Sequence, residues 1–333
     1  MRPVKRLFLA SLVLAGCVFG SHQGVVRAAN LTNPVSGWMA TTRSGLVVTV
    51  ALEGAAKTPT LKVFDGAGAL VASRSVANFA STCNAANNNT CRQMLALTED
   101  DNGDNESFLV LFDNGYLWRG VVNLASGTIS ESGSSARLAG VEGWVDVVHD
   151  ASRVVPMHGA AVYSRAGGDC ADGRQPLMAW SKGRAGVGFG EPPVNLRPQL
   201  GCNVNNLRIA QDHQSGRFAV LGGNKIALYG WNDTTQVPTH EKTITLTAHN
   251  GYVYTDLALE YGQLVISERR TSGGQSYLYT VASTTGEVQS TRAVREAFSV
   301  AFSYAQGDSA FAWYNGASTD QAYKVGRFPL YAE

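Results

Sequence analysis

The chain has 333 residues, of which 44% are hydrophobic and only 16% charged, a composition that excludes a disordered or coiled-coil protein. A chain of this length buries a sizeable core. The formal net charge of +1 gives no electrostatic basis for binding nucleic acid or an anionic membrane surface.

The N-terminus reads as an export signal. Met1-Arg-Pro-Val-Lys-Arg6 is a basic n-region, and Leu7 to Val18 is an apolar stretch too short to span a bilayer comfortably. Two endings fit. Leu14-Ala15-Gly16-Cys17 has the form of a bacterial lipobox, with Cys17 as the lipidated first residue and residues 1–16 as leader. Val26-Arg27-Ala28 is an A-x-A-like site for ordinary cleavage, with residues 1–28 as leader and 29–333 as the mature domain. Either way the expected location is secreted or at the cell surface, the lipobox ending implying a bacterial envelope lipoprotein. No later stretch has the apolar length of a transmembrane helix.

The remaining chain reads as strands. Three hairpins share one plan, an apolar strand, a small or polar turn with Gly, and an alternating strand. They are Leu61 to Ser75, Gly120 to Ser132 and Leu278 to Ser290. Around them six segments repeat every 45 to 60 residues or so, the length of a four-stranded propeller blade. The segments begin near Trp38, Met94, Trp144, Leu207, Tyr254 and Ser299, and their apolar runs are β-branched and aromatic. The last segment runs short after Tyr323, and a strand around Asn30 to Val35 is expected to complete it. The expected fold is an all-β propeller of six blades closed by that N-terminal strand. A seventh blade fits if the Trp144–Leu207 interval holds two repeats, and a pair of β-sandwiches is the alternative. The pattern resembles propeller repeats, including those of extracellular adhesion proteins. WD dipeptides at strand ends, kelch double glycines and a repeated tryptophan docking motif are absent.

Beyond Cys17 the cysteines are Cys83, Cys91, Cys170 and Cys202, an even number suited to an oxidising compartment. Proximity favours Cys83–Cys91 and Cys170–Cys202. Sequons begin at Asn30, Asn88, Asn105 and Asn232, glycan acceptors in a eukaryotic host.

Three features carry candidate chemistry. In Glu99 to Ser107, Asp100, Asn102 and Asp104 alternate around Gly103, so three oxygen side chains can converge on a hard cation. This resembles the calcium loop of integrin-type propeller repeats and implies calcium, although Asn105 stands where a Gly is usual and Phe108 where a closing acid is expected. The plain reading is a solvated acidic turn. His149-Asp150 and Asp212-His213 follow the first strands of the third and fourth segments. Two such pairs on one face of a ring form a candidate acid/base or metal site, while Asp and His also cap turns. His158 is a further candidate neighbour. Glu268-Arg269-Arg270 reads as a solvated strand end, and Gly186 to Gly190 as a turn without a helix to meet a phosphate. The near-even spread of Trp38, Trp118, Trp144, Trp180, Trp231 and Trp313 reads as packing.

No nucleophile elbow, zincin, Walker or dinucleotide motif occurs. The first functional expectation is a non-catalytic propeller that binds a protein or glycan. The second is an extracellular propeller hydrolase or lyase using His149, Asp150, Asp212 and His213. The third is an envelope lipoprotein scaffold held at Cys17.

Overall fold

The computed structural model describes residues 25–31, 38–75, 94–99, 106–131, 136–137, 144–148, 159–181, 191–302, 309–315 and 323–329, apart from single loop positions and short gaps within these spans. Six antiparallel sheets follow one another along the chain. The first holds β2 (Met39–Thr41), β3 (Val47–Glu53), β4 (Thr58–Phe64) and β5 (Leu70–Ser75). The second holds β6 (Met94–Glu99), β7 (Ser107–Phe112) and β8 (Tyr116–Asn123), with its outer edge divided between β9 (Thr128–Glu131) and β10 (Ala136–Arg137). The third holds β11 (Trp144–Val148), β12 (Ala160–Gly167), β13 (Cys170–Trp180) and β14 (Val194–Asn195), followed by a single-turn helix α1 (Arg197–Leu200).

The fourth sheet holds β15 (Arg208–Gln211), β16 (Phe218–Gly222), β17 (Lys225–Trp231) and β18 (Pro238–Thr245). The fifth holds β19 (Tyr252–Glu260), β20 (Gln263–Arg270), β21 (Ser276–Ala282) and β22 (Val288–Val294). The sixth holds β23 (Glu296–Phe302), β24 (Ser309–Asn315), β25 (Tyr323–Pro329) and β1 (Val25–Leu31). These are the blades of a six-bladed β-propeller. The Trp144–Leu207 interval makes one blade, so the seven-bladed option is not taken up.

The three hairpins that recur in the sequence are the third-to-fourth-strand hairpins of blades 1, 2 and 5. The closing strand exists, but it lies upstream of the expected Asn30–Val35 position. Val25 and Val26 pair with Gly326 and Val325, and Leu31 with Tyr323. β1 therefore contains Val26-Arg27-Ala28. Using the first strand of the chain as the last blade's outer strand joins the two ends of the ring and covers the edge of β25.

Even strand number sets the orientation of every turn. In a four-stranded meander, the turns joining strands one to two and three to four open on the same side. The turn joining strands two to three and the connection to the next blade open on the other. We call these the hairpin face and the crossover face. Because β1 runs antiparallel to β25, it enters the ring from the hairpin face.

The blades pack through apolar inner strands. Val47, Val48, Val50, Leu61 and Phe64 of blade 1 share a buried cluster with Phe108, Val110 and Trp118 of blade 2. Blade 4 packs on blade 5 through Leu221, Leu228, Leu257 and Ile266. The tryptophans follow the packing expectation where described: Trp38, Trp118 and Trp180 are buried, and Trp231 stacks edgewise on Phe218.

Candidate functional site

The innermost strand of every blade lines an axial channel of about 510 Å³, counting space open to solvent. Met39, Leu97, Val148, Gln211, Leu259 and Phe302 each represent one of those strands. Polar side chains at this ring stitch neighbouring blades together. Asp146 in β11 and Asp256 in β19 each sit beside a register shift in the pairing with the second strand. Each carboxylate accepts the N–H of the residue after it, from Val147 at 2.9 Å and from Leu257 at 3.0 Å. The second oxygen crosses to the following blade. Asp146 Oδ2 accepts the Ile209 N–H at 2.9 Å, and Asp256 Oδ2 accepts the Val300 N–H at 3.1 Å.

Ser299, beside the corresponding irregularity in β23, repeats the device at the closure. Its hydroxyl accepts the Trp38 N–H at 3.2 Å, and Thr41 returns its own hydroxyl proton to the Phe302 carbonyl at 2.6 Å. Arg208, buried at the start of β15, lies within electrostatic reach of Asp256, as does Asp146. Burial pushes the Asp256 carboxyl up to about 7. Arg208 opposes that rise, Asp146 adds to it, and the two backbone N–H donors oppose it.

Asp212, a candidate acid or base on sequence, is spent on backbone. Its Oδ1 accepts the Gln214 and Ser215 N–H groups at 2.8 and 3.2 Å, capping the first turn of blade 4. Its Oδ2 accepts the Gly262 N–H of blade 5 at 3.2 Å. The turn after β15, and Asp212 with it, lies on the hairpin face. His149, Asp150, His158 and His213 themselves lie outside the described residues. So do Asp100, Asn102, Asp104, Cys17, Cys83, Cys91, Asn88 and Asn105. Asn30 lies in β1, and Asn232 closes a turn by accepting the Thr235 N–H at 2.8 Å. Cys170 and Cys202 form a disulfide. Among the described residues, no three or more His, Cys, Asp or Glu side chains gather as for a metal ion.

The crossover face of blade 5 carries a cluster that the sequence reading missed. Glu268 is not a solvated strand end. Its side chain is 0% exposed. Register places it between Tyr254 of β19 and Tyr277 of β21, whose bulk removes it from water. The charge is met by three donors. His249 gives its backbone N–H at 2.9 Å and its ring Nδ1–H at 2.8 Å, and the Tyr279 hydroxyl donates at 2.6 Å.

Burial first, and then the bond to Glu268, hold the Tyr279 phenol far above its ordinary pKa, so it stays a donor. With Tyr279 donating, Nδ1 of His249 carries a proton toward the carboxylate. That leaves Nε2 as the ring atom free of this network. The imidazole lies flat on Tyr277, with centroids 4.4 Å apart and planes at 19°, and Tyr252 leans against both. The His249 side chain remains 48% exposed. The product is a rigid, part-exposed aromatic wall locked from below by a buried carboxylate. The signal available in the sequence was Tyr252, Tyr254, Tyr277 and Tyr279, spaced by two on two strands so that all four share one face.

No family model matches the chain, and no curated protein matches it. Solved structures do resemble it. A chain of the COPII outer coat vertex assembled on membranes aligns over 90% of this chain and 85% of its own, at 12% identity and TM-score 0.51. The Cps50 (Swd1) β-propeller domain of Myceliophteria thermophila aligns over 91% and 99%, at 8% identity and TM-score 0.49. Sqt1 of Saccharomyces cerevisiae aligns over 89% and 86%, at 10% identity and TM-score 0.45. At 12% identity the likeness to the coat chain speaks for the fold alone.

Proposed function

We propose that this chain is an exported β-propeller that binds a protein partner without catalysis, using the crossover face of blade 5. The observation that carries the reading is the wall of His249, Tyr252 and Tyr277 over the buried Glu268. Tyr and stacked rings give large contact area at little entropic cost, and binding hot spots are enriched in such residues. Pre-ordering by the Glu268 network reduces the cost further. Of the catalytic candidates, Asp212 has its carboxylate occupied by backbone N–H groups.

The test is site-specific photocrosslinking from position 252 in the native host, with position 203 on the same face as control. The expected result is a discrete protein adduct from 252 that disappears with Tyr277→Ala and is absent from 203. No adduct, or equal adducts from both positions, overturns the reading. Binding to immobilised glycans that is lost with Tyr277→Ala would replace the protein partner by a sugar.

A further inference from the structure

Glu268 is a buried carboxylate held by neutral dipoles. Its hydrogen-bond partners are the His249 backbone N–H, the His249 Nδ1–H and the Tyr279 hydroxyl. Among the described residues no Lys or Arg pairs with it. Such donors fix the carboxylate in place but leave its charge without a counter-ion. The charge is felt by the groups around it. Burial first, and then Glu268, hold the Tyr254 phenol above its ordinary pKa, and the same carboxylate helps burial to raise Tyr279.

The wall in front of this charge is rich in acceptors. With the His249 proton on Nδ1 and directed to Glu268, Nε2 presents a lone pair. Tyr252 and Tyr277 are part-exposed, and among the described residues their hydroxyls have no hydrogen-bond partner. The ring faces add the negative side of their quadrupoles. A carboxylate on a partner is repelled both by those faces and by Glu268. An aliphatic or phenyl side chain covers the rings but strips water from Nε2 and gives it no donor, which costs free energy. A guanidinium stacks flat on the rings, donates to Nε2 and supplies the missing positive charge.

We propose that the wall of His249, Tyr252 and Tyr277 takes an arginine side chain of the partner, with Glu268 as its buried counter-charge. This rests on the partner reading above and gives that partner a chemistry. Arg270 is the chain's own cation at the rim. It is exposed, stands opposite Tyr252 in the β19–β20 pairing, and shares the face of Glu268, two positions away. Among the described residues it makes no ion pair, hydrogen bond or ring contact. Its charge opposes an incoming guanidinium, so removing it should tighten binding.

The experiment titrates the full mature protein, at constant ionic strength, with the amides of N-acetyl-arginine, N-acetyl-citrulline and N-acetyl-glutamate. The ring signals of His249 and Tyr277 are followed by NMR. The arginine compound should shift them saturably, the uncharged isostere citrulline should bind about tenfold more weakly, and glutamate should not bind. Glu268→Gln keeps an acceptor for Tyr279 and His249 and should erase the preference for arginine over citrulline. Arg270→Gln alters only an exposed side chain, tests the same charge balance without touching the network, and should raise the arginine affinity severalfold. Equal binding of arginine and citrulline, a preference that survives Glu268→Gln, glutamate binding that is lost with Arg270→Gln, or no saturable shift each overturns the proposal. The photocrosslinking test separates this inference from the reading it rests on. A protein adduct from position 252 without an arginine preference overturns the arginine and keeps the partner, and the preference without an adduct overturns the partner.

Discussion

The Asp256 carboxylate leaves its own blade and accepts the Val300 N–H of the next at 3.1 Å, while holding Leu257 N–H with its other oxygen. Asp146 makes the same bridge to Ile209. Each aspartate is thus a rivet between two sheets, and at the blade 5–6 junction Thr255 adds a second bond, its hydroxyl donating to the Ala297 carbonyl at 3.3 Å. Asp256→Ala orphans two buried N–H groups, at about 1–3 kcal/mol each. Asp256→Asn keeps one carbonyl oxygen and should cost less. Urea titration at pH 5, with the cycle Asp146→Asn/Asp256→Asn, checks both the order and the independence of the two bridges.

Asp256 also sets a pH dependence. Its folded-state pKa, about 7, lies above the ordinary 3.8, so the folded chain binds its proton more tightly than the unfolded chain. The contribution is fully present below pH 3.8 and is lost as pH rises to about 7. The loss is on the order of 4 kcal/mol at 1.36 kcal/mol per pKa unit. Asn cannot titrate, so the stability of Asp256→Asn relative to the parent should rise from pH 4 to pH 8. Parallel curves for the two proteins would contradict this.

The blades were legible in the sequence because their strands alternate and their hairpins repeat. Leu61 to Ser75 announces its turn with Gly66 and Gly68 and its register with alternating Val, Ala and Arg. The rivets were not legible by position alone. Trp144-Val-Asp-Val-Val148 and Tyr254-Thr-Asp-Leu-Ala258 share an Asp third in a stretch with no other charge, a pattern that signals an inner strand with a bridge to make. Glu268 was misread because its neighbours Arg269 and Arg270 look solvated. Its burial comes from Tyr254 and Tyr277 on the flanking strands, which no local window contains.

The Glu268 network predicts a graded response. Tyr279→Phe removes one charge-assisted donor and should cost about 1.5–3 kcal/mol. Glu268→Ala leaves the His249 and Tyr279 donors without their acceptor and should cost more than twice as much. Because all three act as one unit, the double variant should fall short of the sum. Nitrogen NMR of His249 supplies an independent check, with the neutral ring carrying its proton on Nδ1 and losing that preference in Glu268→Gln.

The Cys170–Cys202 disulfide ties the start of β13 to the segment after α1 and closes 32 positions of chain. Chain-entropy reasoning gives about 3–4 kcal/mol for a loop of that size. The pair Cys170→Ser/Cys202→Ser should therefore lower the urea midpoint and steepen the slope, because the unfolded chain without the cross-link is less compact and exposes more surface. Exposure of blade 3 before blade 4 in hydrogen exchange would follow, since the disulfide acts at their junction.

Closure by β1 has the largest consequence. A chain beginning at residue 32 lacks the whole strand and leaves β25 as an exposed edge from Tyr323 to Pro329. Such an edge is a template for pairing with another chain. Blade 6 also carries Ser299 and Phe302, which hold blade 1 through Trp38 and Thr41, so loosening it opens the ring at its one non-sequential junction. The truncated chain should show concentration-dependent association by sedimentation velocity and faster exchange of β23 to β25. A chain beginning at Ala29, which keeps Leu31 opposite Tyr323 but loses the Val25 and Val26 pairs, should fall between the two. Adding a synthetic peptide of residues 22–34 should restore the monomer in the first case. Failure of that rescue would show that the strand acts only through the covalent chain, and the edge-covering account of closure would be wrong.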